Sequence, residues 1–292
     1  MHDHIIRGMA GETQIRFFAV NCTEATRKIQ EIHELSITTS VLMGRLMAAA
    51  LMMGYDLKSP DELITLKINS DGAVSQIILT ASNQGYVKGY INNPKVEVPL
   101  NEKGQINVAG AIGTGVLTII KDIFGGMPYS GQVEIKNGEI ASDLAYYFVQ
   151  SEQTPTAIGL GVLIEPDGYI RQAGGFMIQL LPEAGGEVVD ILERNLEKLP
   201  NLTDLLDMGF SIEKIVKEMI LMDLHSEVKA SQDAEYHCDC SAEKFEQGLS
   251  LLDKAELQEN LDKDEDVVVI CHFCNTKYHY GKEIIAKHLA EK

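Results

Sequence analysis

The chain has 292 residues, of which 45% are hydrophobic and 23% charged, with a formal net charge of −18 and five cysteines. That length supports one large domain and a small one, and the apolar content supports a packed core. The acidity serves solubility and argues against duplex binding, which needs a basic footprint; no Lys/Arg cluster stands out along the sequence to supply one.

The N-terminus, Met1-His-Asp-His-Ile-Ile-Arg7, has no long apolar region behind a basic start, so it does not read as a signal peptide. His2 and His4 read as part of a mobile terminus rather than as metal ligands. Gln14 to Val20 is a β-like run. A helix from Thr23 to Glu34 follows, with Thr23 as its expected N-cap. A second helix, from Ser36 to about Tyr55, is apolar on most sides and is expected in the core, with Met43, Met47, Met52 and Met53 as core filling. Its strongest run, Leu46 to Met53, follows Arg45, and no stretch is expected to reach the roughly 18 apolar residues that span a bilayer.

Strand signals then dominate: Leu63 to Asn69, Ala73 to Ala81 and Gly85 to Asn92 form a meander. Further strands are expected at Gly115 to Ile120 and Gly131 to Ile135, and a helix at Glu139 to Gln150. Ala157 to Ile164 and Tyr169 to Leu180 form a last pair around the turn Pro166-Asp-Gly168. After Pro182-Glu-Ala-Gly-Gly186 the pattern becomes helical, at Glu187 to Leu199, Leu202 to Met208, and a segment capped by Ser211. That segment carries Ile212, Ile215, Val216, Met219 and Ile220 on one stripe, which must be buried against something. Ser226 to Glu235 reads as a polar connector. Ser241 caps a helix through Leu252, a second covers Lys254 to Leu261, strands Val267 to Ile270 and Thr276 to Tyr280 follow, and a helix closes the chain at Lys282 to Leu289.

The fold class expected is α+β. It comprises an N-terminal mixed domain (1–181) with an antiparallel sheet and packed helices, a helical linker (182–233) and a small C-terminal zinc-binding α+β module (234–292).

Four of the five cysteines lie in that last module, as Cys238-Asp-Cys240 and Cys271-His-Phe-Cys274 with thirty residues between the pairs. Two close pairs across a domain-sized gap are how a chain builds a four-thiolate zinc site. The alternatives are two local disulfides, four unrelated thiols, or a three-cysteine site completed by His237, His272 or His279. Cys22 reads as a small buried hydrophobe. Zinc held by four protein ligands has no open position for water, so such a site is structural rather than hydrolytic. It also keeps neighbouring thiolates together, so an oxidant that converts one to a sulfenic acid finds a resolving cysteine at hand. Structural zinc supplies on the order of 10–16 kcal/mol, against a net stability of a few kcal/mol for so small a module. Metal loss is therefore expected to unfold it. The acidic run Asp262-Lys-Asp-Glu-Asp266 beside the second pair disfavours nucleic acid here too.

No catalytic constellation emerges. Gly110-Ala-Ile-Gly-Thr-Gly115 matches neither a phosphate loop nor a dinucleotide fingerprint. Ser151-Glu-Gln153 reads as a structural cap. A disulfide oxidoreductase using Cys271 and Cys274 lacks the strand–helix context such enzymes use. The chain is not expected to be an enzyme, and cysteines at metal spacing without targeting point to the cytoplasm.

The motif Cys238-Asp-Cys240-Ser241 with Cys271-His-Phe-Cys274-Asn275 and Tyr278 resembles the family of redox-regulated holdase chaperones, the 33-kDa heat-shock protein or 33-kDa chaperonin family. The resemblance extends through Gln14-Ile-Arg-Phe-Phe-Ala-Val20, Gly44-Arg45-Leu46, Gly85-Tyr-Val-Lys-Gly-Tyr-Ile-Asn-Asn-Pro94, Tyr129-Ser-Gly131, Ser151-Glu-Gln153 and Ala173-Gly-Gly-Phe-Met-Ile-Gln179, essentially the whole chain. It implies an ATP-independent stress chaperone, inactive when reduced and holding one Zn2+. Oxidation would form the disulfides Cys238–Cys240 and Cys271–Cys274, release zinc, unfold the module and linker, and expose surface for unfolded client proteins, with a homodimer favoured on activation. The stripe from Ile212 to Ile220 then becomes a candidate client surface or its lid. The competing reading is a constitutive zinc-scaffolded module that binds protein or RNA.

Overall fold

The computed structural model describes residues 2–123, 125–263 and 265–290; Met1 and Asp264 of the acidic run lie outside them. The chain divides into two compact units, Met1–His237 and Cys238–Lys292.

Among the described residues the larger unit holds two sheets. The first has the order β10-β1-β2-β9-β8, formed by β1 (His4–Ala10), β2 (Ile15–Asn21), β8 (Thr156–Ile164), β9 (Ile170–Leu180) and β10 (Ser226–Asp233). All its neighbours run antiparallel. The second has the order β11-β5-β4-β3-β6-β7, from β3 (Leu63–Ser70), β4 (Gln76–Ser82), β5 (Tyr86–Ile91), β6 (Gly115–Asp122), β7 (Tyr129–Glu134) and the short β11 (Glu235–Tyr236). The mixed α+β class follows from segregated runs of strands and helices, each needing a partner face.

Helix α2 (Ile37–Gly54) runs through the main core. Ser36 accepts the Thr39 N–H at its start. Its 18 residues are long and apolar enough to cross a membrane, contrary to the sequence expectation, but 89% of the stretch is buried inside the protein. Strands of both sheets pack around it and supply the apolar surroundings that lipid would otherwise provide. Helix α1 (Thr23–His33) packs beside it. Here Thr23 is not the N-cap: Cys22 holds that position without a side-chain cap bond. The cap comes from Asp3, whose Oδ2 accepts the Ala25 N–H at 2.8 Å. A cap supplied from twenty-two residues away leaves no local sequence signal.

Two further expectations are corrected. The N-terminus is not mobile: β1 lies inside the first sheet, with Ile5 and Ile6 fully buried, one in each of two hydrophobic clusters. Ser226 to Glu235 is not a connector and the segment after residue 182 is not wholly helical. Residues Ser226–Asp233 form β10, an edge strand paired to β1 in register from Ala10↔Ser226 to His4↔Asp233. Its signal was the alternation of half-buried Val228 and Ala230 with exposed Glu227 and Lys229. Charged outward residues mask such an edge. At the bulge between Arg7 and Gly8 the strands approach closely, and a Cβ on Gly8 would lie 2.1 Å from the Glu227 carbonyl oxygen.

The predicted helical stretch forms α5 (Gly186–Glu197), α6 (Leu202–Asp207), α7 (Ile212–Ile215) and one π-helical turn, Val216–Ile220. Ser211 caps α7 by accepting the Lys214 N–H, as expected. Together with Ile15, Phe17, Phe176 and Ile178 of the sheet these helices build the second cluster. The remaining helices of this unit are α3 (Val108–Ile112) and α4 (Ala141–Ser151). The smaller unit contains α8 (Ala242–Leu249), α9 (Lys254–Lys263), the antiparallel pair β12 (Val267–Ile270) and β13 (Lys277–Tyr280), and α10 (Lys282–Ala290).

Candidate metal centre

The β12–β13 hairpin places Cys271 and Cys274 on one tight turn. The Cys271 N–H donates to Thr276 O at 2.9 Å, the Asn275 N–H donates to Cys271 O at 2.8 Å, and Asn275 sits at φ 57°. Asn tolerates that left-handed position better than most residues. The Cys238–Cys240 segment brings the other two sulfurs to the same point. All four Sγ atoms lie within 4.8 Å of one another, with Cys238 to Cys271 at 3.7 Å and Cys240 to Cys274 at 3.3 Å. A tetrahedral Zn–S bond of about 2.3 Å implies S···S separations of roughly 3.8 Å, so the donor set fits zinc.

Nearby side chains hold these sulfurs. Tyr278 Oη is 3.1 Å from Cys240 Sγ, and its ring packs against Phe245 at 5.2 Å. Thr276 Oγ1 is 3.2 Å from Cys274 Sγ. The Tyr280 hydroxyl donates to Ala242 O at 2.7 Å and fixes the start of α8, which Ser241 caps through the Lys244 N–H. Sequence reasoning missed the Thr276 and Phe245 contacts; a hydroxyl residue two positions after Cys274 was the available sign.

Electrostatics separate the sulfurs. Burial pushes the Cys238 and Cys271 thiols up. Burial also acts to raise Cys274, but hydrogen bonds with Thr276, Cys240 and Cys271 outweigh it and bring the thiol down to about 7. Cys274 thus has the most thiolate character of these three near neutral pH. Cys22, fully buried in the larger unit, is pushed well above the ordinary thiol range by desolvation. It is a small buried core residue, as expected from the sequence.

The histidines do not join the cluster. His237 stacks on the Tyr86 ring at 4.4 Å, and His279 Nδ1 lies 3.9 Å from an Asp266 carboxylate oxygen. The four cysteines are the metal-capable group found among the described residues. Of the stripe residues, Ile212, Ile215, Val216 and Ile220 are fully buried in the second cluster and Met219 packs at its margin. The fold does gather Arg7, Arg16 and Lys229 around one cleft, which no sequence run revealed. Two of these cations are already engaged, Arg16 with Asp56 at 2.7 Å and Lys229 with Glu227.

The family model described as "Hsp33 protein" matches residues 3–281. Among curated relatives, the 33 kDa chaperonin of Agathobacter rectalis is 42% identical over 280 residues, covering 96% of this chain and 97% of the relative. The 33 kDa chaperonin of Clostridium perfringens is 44% identical, covering 100% of this chain and 93% of the relative. The crystal structure of the 33 kDa chaperonin, or heat shock protein 33 homolog, of Thermotoga maritima matches with a TM-score of 0.92 at 35% identity, over 100% of this chain and 99% of that one.

Proposed function

We propose that this chain, which belongs to the Hsp33 family, is a cytoplasmic, ATP-independent holdase chaperone that oxidation activates. The observation that carries the reading is the meeting of four sulfurs, within 4.8 Å, in a unit with few buried apolar side chains. Cys238, Cys240, Cys271 and Cys274 would hold one Zn2+, which when bound supplies a structural cross-link between segments thirty residues apart.

Three of these cysteines are partly exposed residues, which supports access by a small oxidant. Oxidation joining Cys238 to Cys240 and Cys271 to Cys274 would pass four electrons from the four thiolates to the oxidant and leave no thiolate to hold Zn2+. Loops that small replace little of the lost constraint, so the smaller unit unfolds. The stripe Ile212, Ile215, Val216, Met219 and Ile220 then acts as a lid. Its burial against Ile15, Phe17, Phe176 and Ile178 supports that role: lifting it frees two matching apolar faces for unfolded clients. Dimerisation of the active form shelters part of that surface.

The test is to treat the zinc-loaded protein with hypochlorite, or with peroxide and mild heat, and follow zinc release alongside aggregation of a thermally unfolding client. Zinc release should rise as client aggregation falls. Zinc loss without suppression of aggregation refutes the reading. The assignment of the stripe fails separately if Ile215→Asp with Met219→Asp leaves the oxidised protein's suppression unchanged.

A further inference from the structure

Strand β8 closes one edge of the five-stranded sheet and, among the described residues, pairs with β9 alone. The Leu180 N–H donates to Pro155 O at 3.0 Å, which sets the phase of the ladder. Ala157, Gly159 and Gly161 therefore bond inward, while Ile158, Leu160 and Val162 turn their N–H and C=O groups to the open side. The strand reads Thr156-Ala-Ile-Gly-Leu-Gly-Val-Leu-Ile164, without a charge or a proline. Natural edges are blunted by lysine, proline, bulges or covering elements. Here the one irregularity is at the far end, between Leu163 and Ile164.

A groove of about 510 Å3 runs along the first half of this edge, between β8 and the start of α4, walled by Arg45, Glu139, Ala141 and Ala145. Arg45 Nη1 bonds Glu139 at 2.8 Å, so the wall neutralises itself. Arg45 Nε, however, is buried and has no hydrogen-bond partner. A buried N–H without an acceptor is costly. The groove wall thus holds an unmatched donor, covered while the groove is empty, beside an unmatched strand edge. Small side chains at Ala141, Ala145, Ala157 and Gly159 leave room for a main chain to approach.

We propose that β8 and this groove take an extended, uncharged segment of an unfolded polypeptide as an additional antiparallel strand, with one of its main-chain carbonyls on Arg45 Nε. The self-neutralised wall selects a carbonyl over a carboxylate. Main-chain bonds give sequence-tolerant affinity, as strand addition does elsewhere. The inference rests on the holdase reading for the source of such segments, and it adds a backbone-reading site to the apolar face freed by oxidation.

The probe is a fluorescent nonapeptide of alternating threonine and valine, with a control N-methylated at alternate residues along its pairing edge. Anisotropy with the full-length protein, reduced and oxidised, should show binding that N-methylation weakens at least about tenfold. Hydrogen exchange should slow at Ile158, Leu160 and Val162 and stay unchanged at Ala157, Gly159 and Gly161. Leu160→Pro sacrifices no bond to β9 and should weaken the peptide about tenfold. Arg45→Lys keeps a cation for Glu139, loses the Nε donor, and should weaken it several-fold. Equal binding of the N-methylated peptide, or unprotected outward amides in the wild type, overturns the proposal. So does a Leu160→Pro protein that loses a dimer while binding peptide normally, since the occupant is then a second copy. An oxidised protein that fails to suppress aggregation refutes the holdase function, whereas intact suppression with methylation-insensitive binding refutes only the strand site.

Discussion

Removing the metal should unfold Cys238–Lys292 and leave Met1–His237 folded. The smaller unit fully buries few large apolar side chains: Leu249, Leu257, Tyr280 and Ile285 are each at most 2% exposed. At about 1.5–3 kcal/mol per buried side chain they contribute roughly 6–12 kcal/mol in gross terms. A four-thiolate zinc contributes on the order of 10–16 kcal/mol, so the metal matches or exceeds the whole apolar core. The larger unit has two clusters of its own and no metal-capable group among its described residues. The assay is a strong chelator under reducing conditions, with amide chemical shifts and hydrogen exchange read for each unit. Signals from Val267 to Tyr280 should collapse to random-coil dispersion while those of β1, β2 and β9 persist. Retained protection at Val268 and Tyr280 without zinc would show that the core suffices, and the argument for a metal latch would fall.

Other outcomes follow from single side chains. Tyr278→Phe removes the hydroxyl 3.1 Å from Cys240 Sγ and should lower zinc affinity about tenfold in chelator competition. Gly8→Ala drives a Cβ into the Glu227 carbonyl and the Phe17 ring, and should cost about 1–3 kcal/mol with faster exchange at Val228 and Ala230. Burial raises the Asp3 carboxyl from 3.8 to about 6, against the hydrogen bonds at Ala25 and Glu24. The folded state therefore holds the proton more tightly, and the associated stability is present below pH 3.8 and lost as pH rises through about 6, with a ceiling of roughly 3 kcal/mol. Asp3→Asn should flatten that slope in urea titrations run from pH 4 to 7; an unchanged slope would exclude Asp3 as its source. Tyr147→Phe removes a 2.9 Å bond to the Glu152 carboxylate and should cost about 1–2 kcal/mol by thermal melting.

The parts of this molecule that sequence made legible are those with local signals. Ser211 and Ser241 each cap the helix that follows, and the cysteine spacing identified the four sulfurs that meet. The parts that escaped are settled at a distance. Asp3 caps a helix it does not adjoin, β1 is buried because β2 and β10 flank it, and β10 is a strand because β1 offers a ladder. The stripe from Ile212 to Ile220 was visible as a period, but its partner face, β2 and β9, comes from more than 30 residues upstream. Arg45 looked like a flank to a hydrophobic run; only the packing of α4 beside β8 shows its idle donor.

The segment from Ser226 to His237 is stitched to both sheets. Its last residues hang on β5, with the His237 N–H on Val87 O and the Glu235 N–H on Gly85 O. Ala234 then bonds Asp3 O, and β10 continues along β1 from Asp233 back to Ser226. Such a seam opens like a zip rather than like a snapped bolt. Peeled from the Cys238 end, it yields one stitch at a time, each worth about 0.5–1.5 kcal/mol. The length of chain set free by partial peeling is then graded rather than all-or-none.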